Sequence, residues 1–162
     1  MYFKRKELEK FRSFKGPLID VRSPSEYYKG HMPNSINIPL FDNEERAIVG
    51  KVYKNNGREL AVRQGLEFVE KKIETILNSI FECIEKHKYS NHKNILEESP
   101  IRIYCSRGGM RSLSIGWLLE KFKYNIILLT GGYKNYRRWI IESFSKKYNL
   151  IVIGGKTGTG KT

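Results

Sequence analysis

Tyr104-Cys105-Ser106-Arg107-Gly108-Gly109-Met110-Arg111-Ser112 is the most chemically loaded stretch of this chain. A thiol is followed by two adjacent glycines and flanked by two arginines. Successive N–H groups of such a loop can turn inward and cradle an anion, helped by the positive end of a helix that follows. The same field favours the thiolate of a cysteine seated in it. Gly108 and Gly109 let the backbone curl without a side-chain clash. Arg111 offers a two-pronged fork to an oxyanion, and Arg107 adds charge beside the loop. Cys105 is therefore the candidate catalytic residue. Ser106, Arg107, Gly108, Gly109, Met110 and Arg111 are the candidate oxyanion-binding residues.

Two chemistries fit an activated thiolate in an anion cradle. One is sulfur or selenium transfer through a persulfide or its selenium-bearing equivalent. The other is phosphate-ester hydrolysis through a cysteinyl phosphate, because Cys-x-x-Gly-x-x-Arg also matches the tyrosine-phosphatase loop. A phosphatase needs a carboxylic acid to protonate the leaving group. Asp20 and Asp42 are the only aspartates, and neither has an obvious placement for that role. A buried, inert cysteine at a strand end is the plain alternative.

A second chemical motif lies at Gly155-Lys156-Thr157-Gly158-Thr159-Gly160-Lys161-Thr162, which fits the phosphate-binding pattern Gly-x-x-x-x-Gly-Lys-Thr. Gly155, Gly158, Gly160, Lys161 and Thr162 are its candidate phosphate-binding residues. The helix, acidic strand and base pocket that such a loop relies on do not follow in this sequence. Weak or no nucleotide binding by this chain alone is the expectation.

The elements that must position these groups alternate in period. Leu18 to Val21 is an apolar run between Gly16-Pro17 and Ser23-Pro24, and it predicts a buried strand. Ser35 to Ile38 predicts a second short strand after a turn. From Arg58 to Lys86, apolar residues recur at spacings of three and four, predicting one long amphipathic helix or two in series. Lys88 to Pro100 is polar and predicts a loop. Ile101 to Tyr104 predicts the strand that delivers Cys105. A helix from Arg111 to Phe122 follows, with Leu113, Trp117, Leu118 and Phe122 expected in the core. Asn125 to Leu129 predicts a strand, and Gly131-Gly132 a turn into a helix over Tyr133 to Lys147. Tyr136, Trp139, Ile140 and Phe144 are its expected apolar stripe, and Lys134, Arg137 and Arg138 its expected solvent face. Leu150 to Ile153 predicts a final strand before the glycine loop. This order argues for α/β with a mainly parallel sheet, whose active groups sit at the carboxyl ends of strands.

Composition narrows the class. A chain of 162 residues suits one ordinary domain. It has no apolar run long enough to span a membrane and no secretory leader at its start. Two cysteines make no disulfide framework, so a reduced, cytoplasmic protein with no membrane association is expected. Cys83 lies on the apolar face of a helix and reads as packing. No metal-ligand spacing is present. The net charge of +13 suggests a polyanionic partner, or else simply a basic surface.

"IDVRSPSEYYKGHMPNSINIP" resembles the amino-terminal signature of rhodanese domains, with Asp20, Arg22, Glu26, His31 and Pro33 at its characteristic positions. The resemblance narrows with further segments. "PLFDNEERAIVGKVYKNNGRELAVRQGLEFV", "CSRGGMRS", "GGYKNYRRW" and "GGKTGTGKT" resemble, in order, segments of the tRNA 2-selenouridine synthases. The resemblance implies a rhodanese-like domain over 1–148, with 149–162 as the first strand and P-loop of a second domain. The chain would then be a shortened form, a natural fragment or one half of a split enzyme. It implies a transferase that replaces sulfur by selenium, from selenophosphate, at the wobble 2-thiouridine of tRNA, by way of a geranylated intermediate. Selenophosphate and geranyl diphosphate would be co-substrates, with no tightly bound cofactor. Cys105 would be needed for the selenium step, and Lys134, Arg137 and Arg138 would face tRNA. The alternatives remain a cysteine phosphatase and a non-catalytic module that binds tRNA or a partner protein. His31 is expected to brace the loop, His87 and His92 to lie on the surface, and Asp20 with Arg22 to form a structural ion pair.

Overall fold

The computed structural model describes residues 4–90, 99–149, 151, 154–158 and 160. Five parallel strands form one sheet in the order β1-β5-β4-β2-β3. They are β1 (Lys4–Lys6), β2 (Leu18–Asp20), β3 (Ile36–Asn37), β4 (Ile101–Tyr104) and β5 (Ile126–Leu129). The helices are α1 (Leu8–Ser13), α2 (Pro24–Tyr28), α3 (Asn43–Asn56), α4 (Arg58–Glu70), α5 (Ile73–Ser90), α6 (Met110–Lys121) and α7 (Gly132–Phe144). The architecture is the α/β class with helices on both faces.

Strand side chains alternate between the faces and so build two cores. Ile19, Val21, Ile101, Ile103, Ile126 and Leu128 enter one, closed by Ile76, Ile80, Cys83 and Ile84 of α5 and by Ile115 and Leu119 of α6. Leu18, Tyr104, Ile127 and Leu129 enter the other, beneath Leu8 and Phe11 of α1 and Tyr136 of α7. Continuous apolar strands with both faces covered are what a parallel sheet requires.

The expected helix over 58–86 is two helices in series, and the second runs on to Ser90. The predicted loop over 88–100 is therefore helical at its start, and 91–98, with His92, lie outside the described residues. β1, α1, α2 and α3 were not expected. β1 is Lys-Arg-Lys, a charged edge strand without an apolar run. α3 buries no side chain, so its periodicity is faint; its start is marked instead by a reciprocal Asp42–Glu45 capping box.

Two predicted faces are corrected. On α6 the buried residues are Ser112, Ile115, Gly116 and Leu119, whereas Trp117 is 42% and Phe122 50% exposed. The helix is turned so that its buried side carries two small residues, Ser112 and Gly116. Trp117 instead carries the Lys121 ammonium over its ring, and Phe122 stacks edge-on against Phe81. On α7 Tyr136 is buried and Trp139 and Ile140 are half-buried, but the helix ends at Phe144, whose side chain is exposed. Of the predicted strand 150–153, residues 150, 152 and 153 lie outside the described residues, and Ile151 is exposed. Among the described residues no helix is long and apolar enough to cross a membrane.

Candidate active site

Cys105 follows β4 directly, at the carboxyl edge of the sheet, and α6 begins at Met110. The intervening loop docks on the turn that opens α7. The Cys105 carbonyl accepts from the Tyr133 N–H at 2.8 Å and the Ser106 carbonyl from the Lys134 N–H at 3.0 Å. Gly132, at φ 59°, lies so close beneath that a Cβ there would stand 2.3 Å from the Cys105 oxygen and 2.6 Å from the Gly108 nitrogen. Gly108 itself has φ 67°, with the Leu129 carbonyl 2.8 Å from where its Cβ would be. Glycine is needed at both places, for conformation and for space. Among the described residues nothing accepts a hydrogen bond from the N–H groups of Ser106, Arg107, Gly108, Gly109 or Met110. The loop thus presents a run of uncommitted donors at a helix start, the arrangement suited to an oxyanion.

Cys105 is 2% exposed. Its sulfur lies 3.2 Å from the Ser112 hydroxyl, which itself donates to the Gly109 carbonyl at 3.1 Å. With its proton on Gly109, Ser112 can accept from a thiol; rotated, it can donate to a thiolate. The motif assigns Ser112 no role; its only signal is one small polar residue in the first turn of a helix that starts beside the cysteine. Ser106 and Arg111 are half-buried, while Arg107 is exposed and Met110 is 44% exposed. Arg58 of α4 reaches Met110, its Nη2 standing 3.4 Å from the sulfur.

The Arg111 fork is held by Glu26 of α2. Nη1 donates to Oε2 at 2.5 Å and Nη2 to Oε1 at 3.1 Å. Burial alone would raise the Glu26 pKa, but hydrogen bonding and charge from Arg111, then the Ser23 N–H and Arg46, outweigh it and bring it down to about 2. The structure therefore places Arg111 at the loop with its fork already on a carboxylate.

Asp20 and Arg22 form the expected ion pair, buried on both sides. Arg22 Nη2 donates to Asp20 Oδ2 at 2.6 Å and to the Gly30 carbonyl at 2.8 Å. Burial pulls the Arg22 pKa down, yet hydrogen bonding and charge from Asp20 hold it above its ordinary value. The guanidinium also lies 3.9 Å from the Tyr133 ring centroid. This pair braces Tyr133, and Tyr133 holds the Cys105 carbonyl. Its role is support. His31 is exposed, stacks on Tyr27 at 3.8 Å and meets the Tyr27 carbonyl at 3.1 Å. His87 is half-buried near the surface, where its Nε2 meets the Lys15 carbonyl at 2.9 Å. Cys83 is packed in the core, where burial raises its thiol pKa.

Lys134, Arg137 and Arg138 are exposed on α7, and the Lys134 backbone touches the active loop. Of the P-loop residues, Gly155, Gly158 and Gly160 are described, and Gly158 and Gly160 have φ 87° and 67°. Lys161 and Thr162 lie outside the described residues. Among the described residues no group of three or more His, Cys, Asp or Glu could hold a metal.

Comparison with known proteins adds the following. The family description "Rhodanese-like domain" matches residues 4–138. The chain is similar to the tRNA 2-selenouridine synthase of Nitrosomonas europaea, 37% identical over 150 residues, which are 90% of this chain and 36% of that protein. It is 40% identical to that of Proteus mirabilis over 149 residues, 90% of this chain and 38% of the relative. With that of Photobacterium profundum it shares 34% over 168 residues, 100% of this chain and 43% of the relative. The chain thus spans less than half the length of these relatives. A crystal structure of the N-terminal domain of a putative ATP/GTP binding protein from Clostridium difficile superposes with TM-score 0.72 at 37% identity, covering 85% of this chain and 99% of that one. With the family match spanning 4–138, the chain belongs to the rhodanese-like domain family.

Proposed function

We propose that this chain is the rhodanese part of a tRNA 2-selenouridine synthase, in which Cys105 is the reactive thiolate. The carrying observation is the loop after β4, where the cysteine stands below a run of uncommitted N–H donors and beside Ser112. On this reading the loop amides, Arg107 and Arg111 hold the oxyanion of selenophosphate or the phosphate it becomes. The reaction replaces the sulfur of wobble 2-thiouridine by selenium, through a geranylated uridine. Geranyl diphosphate and selenophosphate are its co-substrates, tRNA its partner and the cytoplasm its place. Lys134, Arg137 and Arg138 contact the tRNA backbone. On the same reading residues 149–162, with Gly155, Gly158, Gly160, Lys161 and Thr162, open a second, P-loop domain.

Neither aspartate is free to act as the acid of the phosphatase alternative. Asp20 is fully buried in the Arg22 ion pair, and the Asp42 side chain accepts the Glu45 N–H at the start of α3. The test is selenouridine formation in thiolated tRNA by this chain together with the P-loop part of a relative. Cys105→Ser is expected to abolish selenium incorporation while leaving the thermal transition in place. Full incorporation by Cys105→Ser would sink the reading.

A further inference from the structure

Glu26 is addressed by two arginines, and only one of them is satisfied. Both prongs of Arg111 are on its carboxylate, and the Ser23 N–H donates to Oε2 at 3.2 Å. Arg46, on α3, points its Nε at the same Oε2 from 3.7 Å. The Arg46 side chain is 39% exposed, but that Nε is buried and has no hydrogen-bond partner among the described residues. A buried donor left short of an acceptor is costly unless another arrangement uses it. Arg46 is also given its space. A Cβ at Gly50, one turn along α3, would stand 2.5 Å from Arg46 Nη1. The start of α3 is fixed by Asn43 Oδ1, which accepts the Ser25 N–H at 2.9 Å, and by the Lys72–Glu45 ion pair. The Arg46 position is therefore set by the fold.

We infer that Arg46 is a positioning residue that takes over Glu26 when Arg111 turns to an oxyanion in the Cys105 loop. The inference rests on the reading of that loop as an oxyanion site. If Arg111 left Glu26 alone, a partly desolvated carboxylate would lose its counter-charge, and that loss would oppose anion binding. A shift of about an ångström brings Arg46 Nε into hydrogen-bond range of Oε2. Glu26 then stays paired in both arrangements, and Arg111 is available at little cost. The segment carrying α3 becomes part of the anion site through Glu26, without touching the anion.

The experiment uses inorganic phosphate as probe. Protection of Cys105 from iodoacetamide is followed at constant ionic strength, with the Cys105 peptide identified by mass spectrometry so that Cys83 does not count. Arg46→Gln should raise the half-protecting phosphate concentration about fivefold or more. Glu26→Gln, which frees Arg111, should lower it below wild type. The double variant should match Glu26→Gln alone. Gly50→Ala is the second variant: alanine favours the helix, yet its Cβ displaces the Arg46 guanidinium. It should weaken phosphate protection without lowering the melting temperature. Equal protection of wild type, Arg46→Gln and Gly50→Ala overturns the inference. So does an Arg46→Gln effect of the same factor in the Glu26→Gln background, which would mark Arg46 as a general attractant. No phosphate protection of wild-type Cys105 would overturn the oxyanion reading itself.

Discussion

At the scale of single residues, Glu26 is the hinge between chemistry and stability. Its carboxyl is held at about 2, against an ordinary 4.5. The folded-state pKa is depressed, so the stabilisation is fully present above the unfolded value and is lost as pH falls through the folded one. Its side chain is 25% exposed, and the ion pair is partly screened. Glu26→Gln should therefore cost on the order of 2 kcal/mol at neutral pH. Denaturant titrations from neutrality downwards should show that difference shrinking between about 4.5 and about 2. A pH-independent difference would mean that Glu26 acts by packing. The same variant is expected to tighten phosphate at Cys105, so stability and anion affinity move in opposite directions.

At the scale of elements, the active loop is shaped by α7 as much as by β4. Tyr133 and Lys134 donate to the loop carbonyls, and Gly132 leaves room for them. Gly132→Ala combines a left-handed backbone with a backbone clash at 2.3 Å, neither of which a rotamer can relieve. A loss of about 2–4 kcal/mol in denaturant unfolding is expected. Gly109→Ala is the control. It has φ −95° and nothing within 4 Å of its Cβ, so its stability should stay within about 0.5 kcal/mol of wild type. Equal effects at the two glycines would contradict the docking of the loop on α7. The rotation of α6 belongs at this scale too: it brings Ser112 beneath the sulfur and leaves Trp117 at the surface.

At the scale of the whole molecule, charge is the dominant feature. The excess of +13 is carried by a chain whose proposed partner is a polyanion. Lys134, Arg137 and Arg138 stand exposed on the helix whose start touches the Cys105 loop. If each meets one phosphate, changing all three to Gln should reduce the slope of log affinity against log salt by about 2–3. Titration of tRNA over a range of salt checks this. An unchanged slope would make these residues an ordinary solvated face.

Four of the five strands, β2 to β5, were legible in the amino-acid sequence with the cysteine loop and its glycines, because apolar runs and glycine pairs are local signals, whereas the charged β1 was not. Leu18 to Val21, Ile101 to Tyr104 and the loop at Cys105 were all legible in this way. So were the Asp20–Arg22 pair, two residues apart, and the class of the fold. What Arg111 does depends on the assembled sheet. Asp20 pairs with Tyr104 in the register of β2 and β4, so the ends of those strands lie side by side. That adjacency sets Glu26 against Arg111 across 85 positions of sequence, and it brings Arg46 of a helix with no buried face to the same carboxylate. The orientation of α6 was likewise decided by packing, because its apolar residues lie on more than one side and only the sheet selects among them. Periodicity reports what each segment prefers; which charges meet depends on strand register, a property of the assembled sheet.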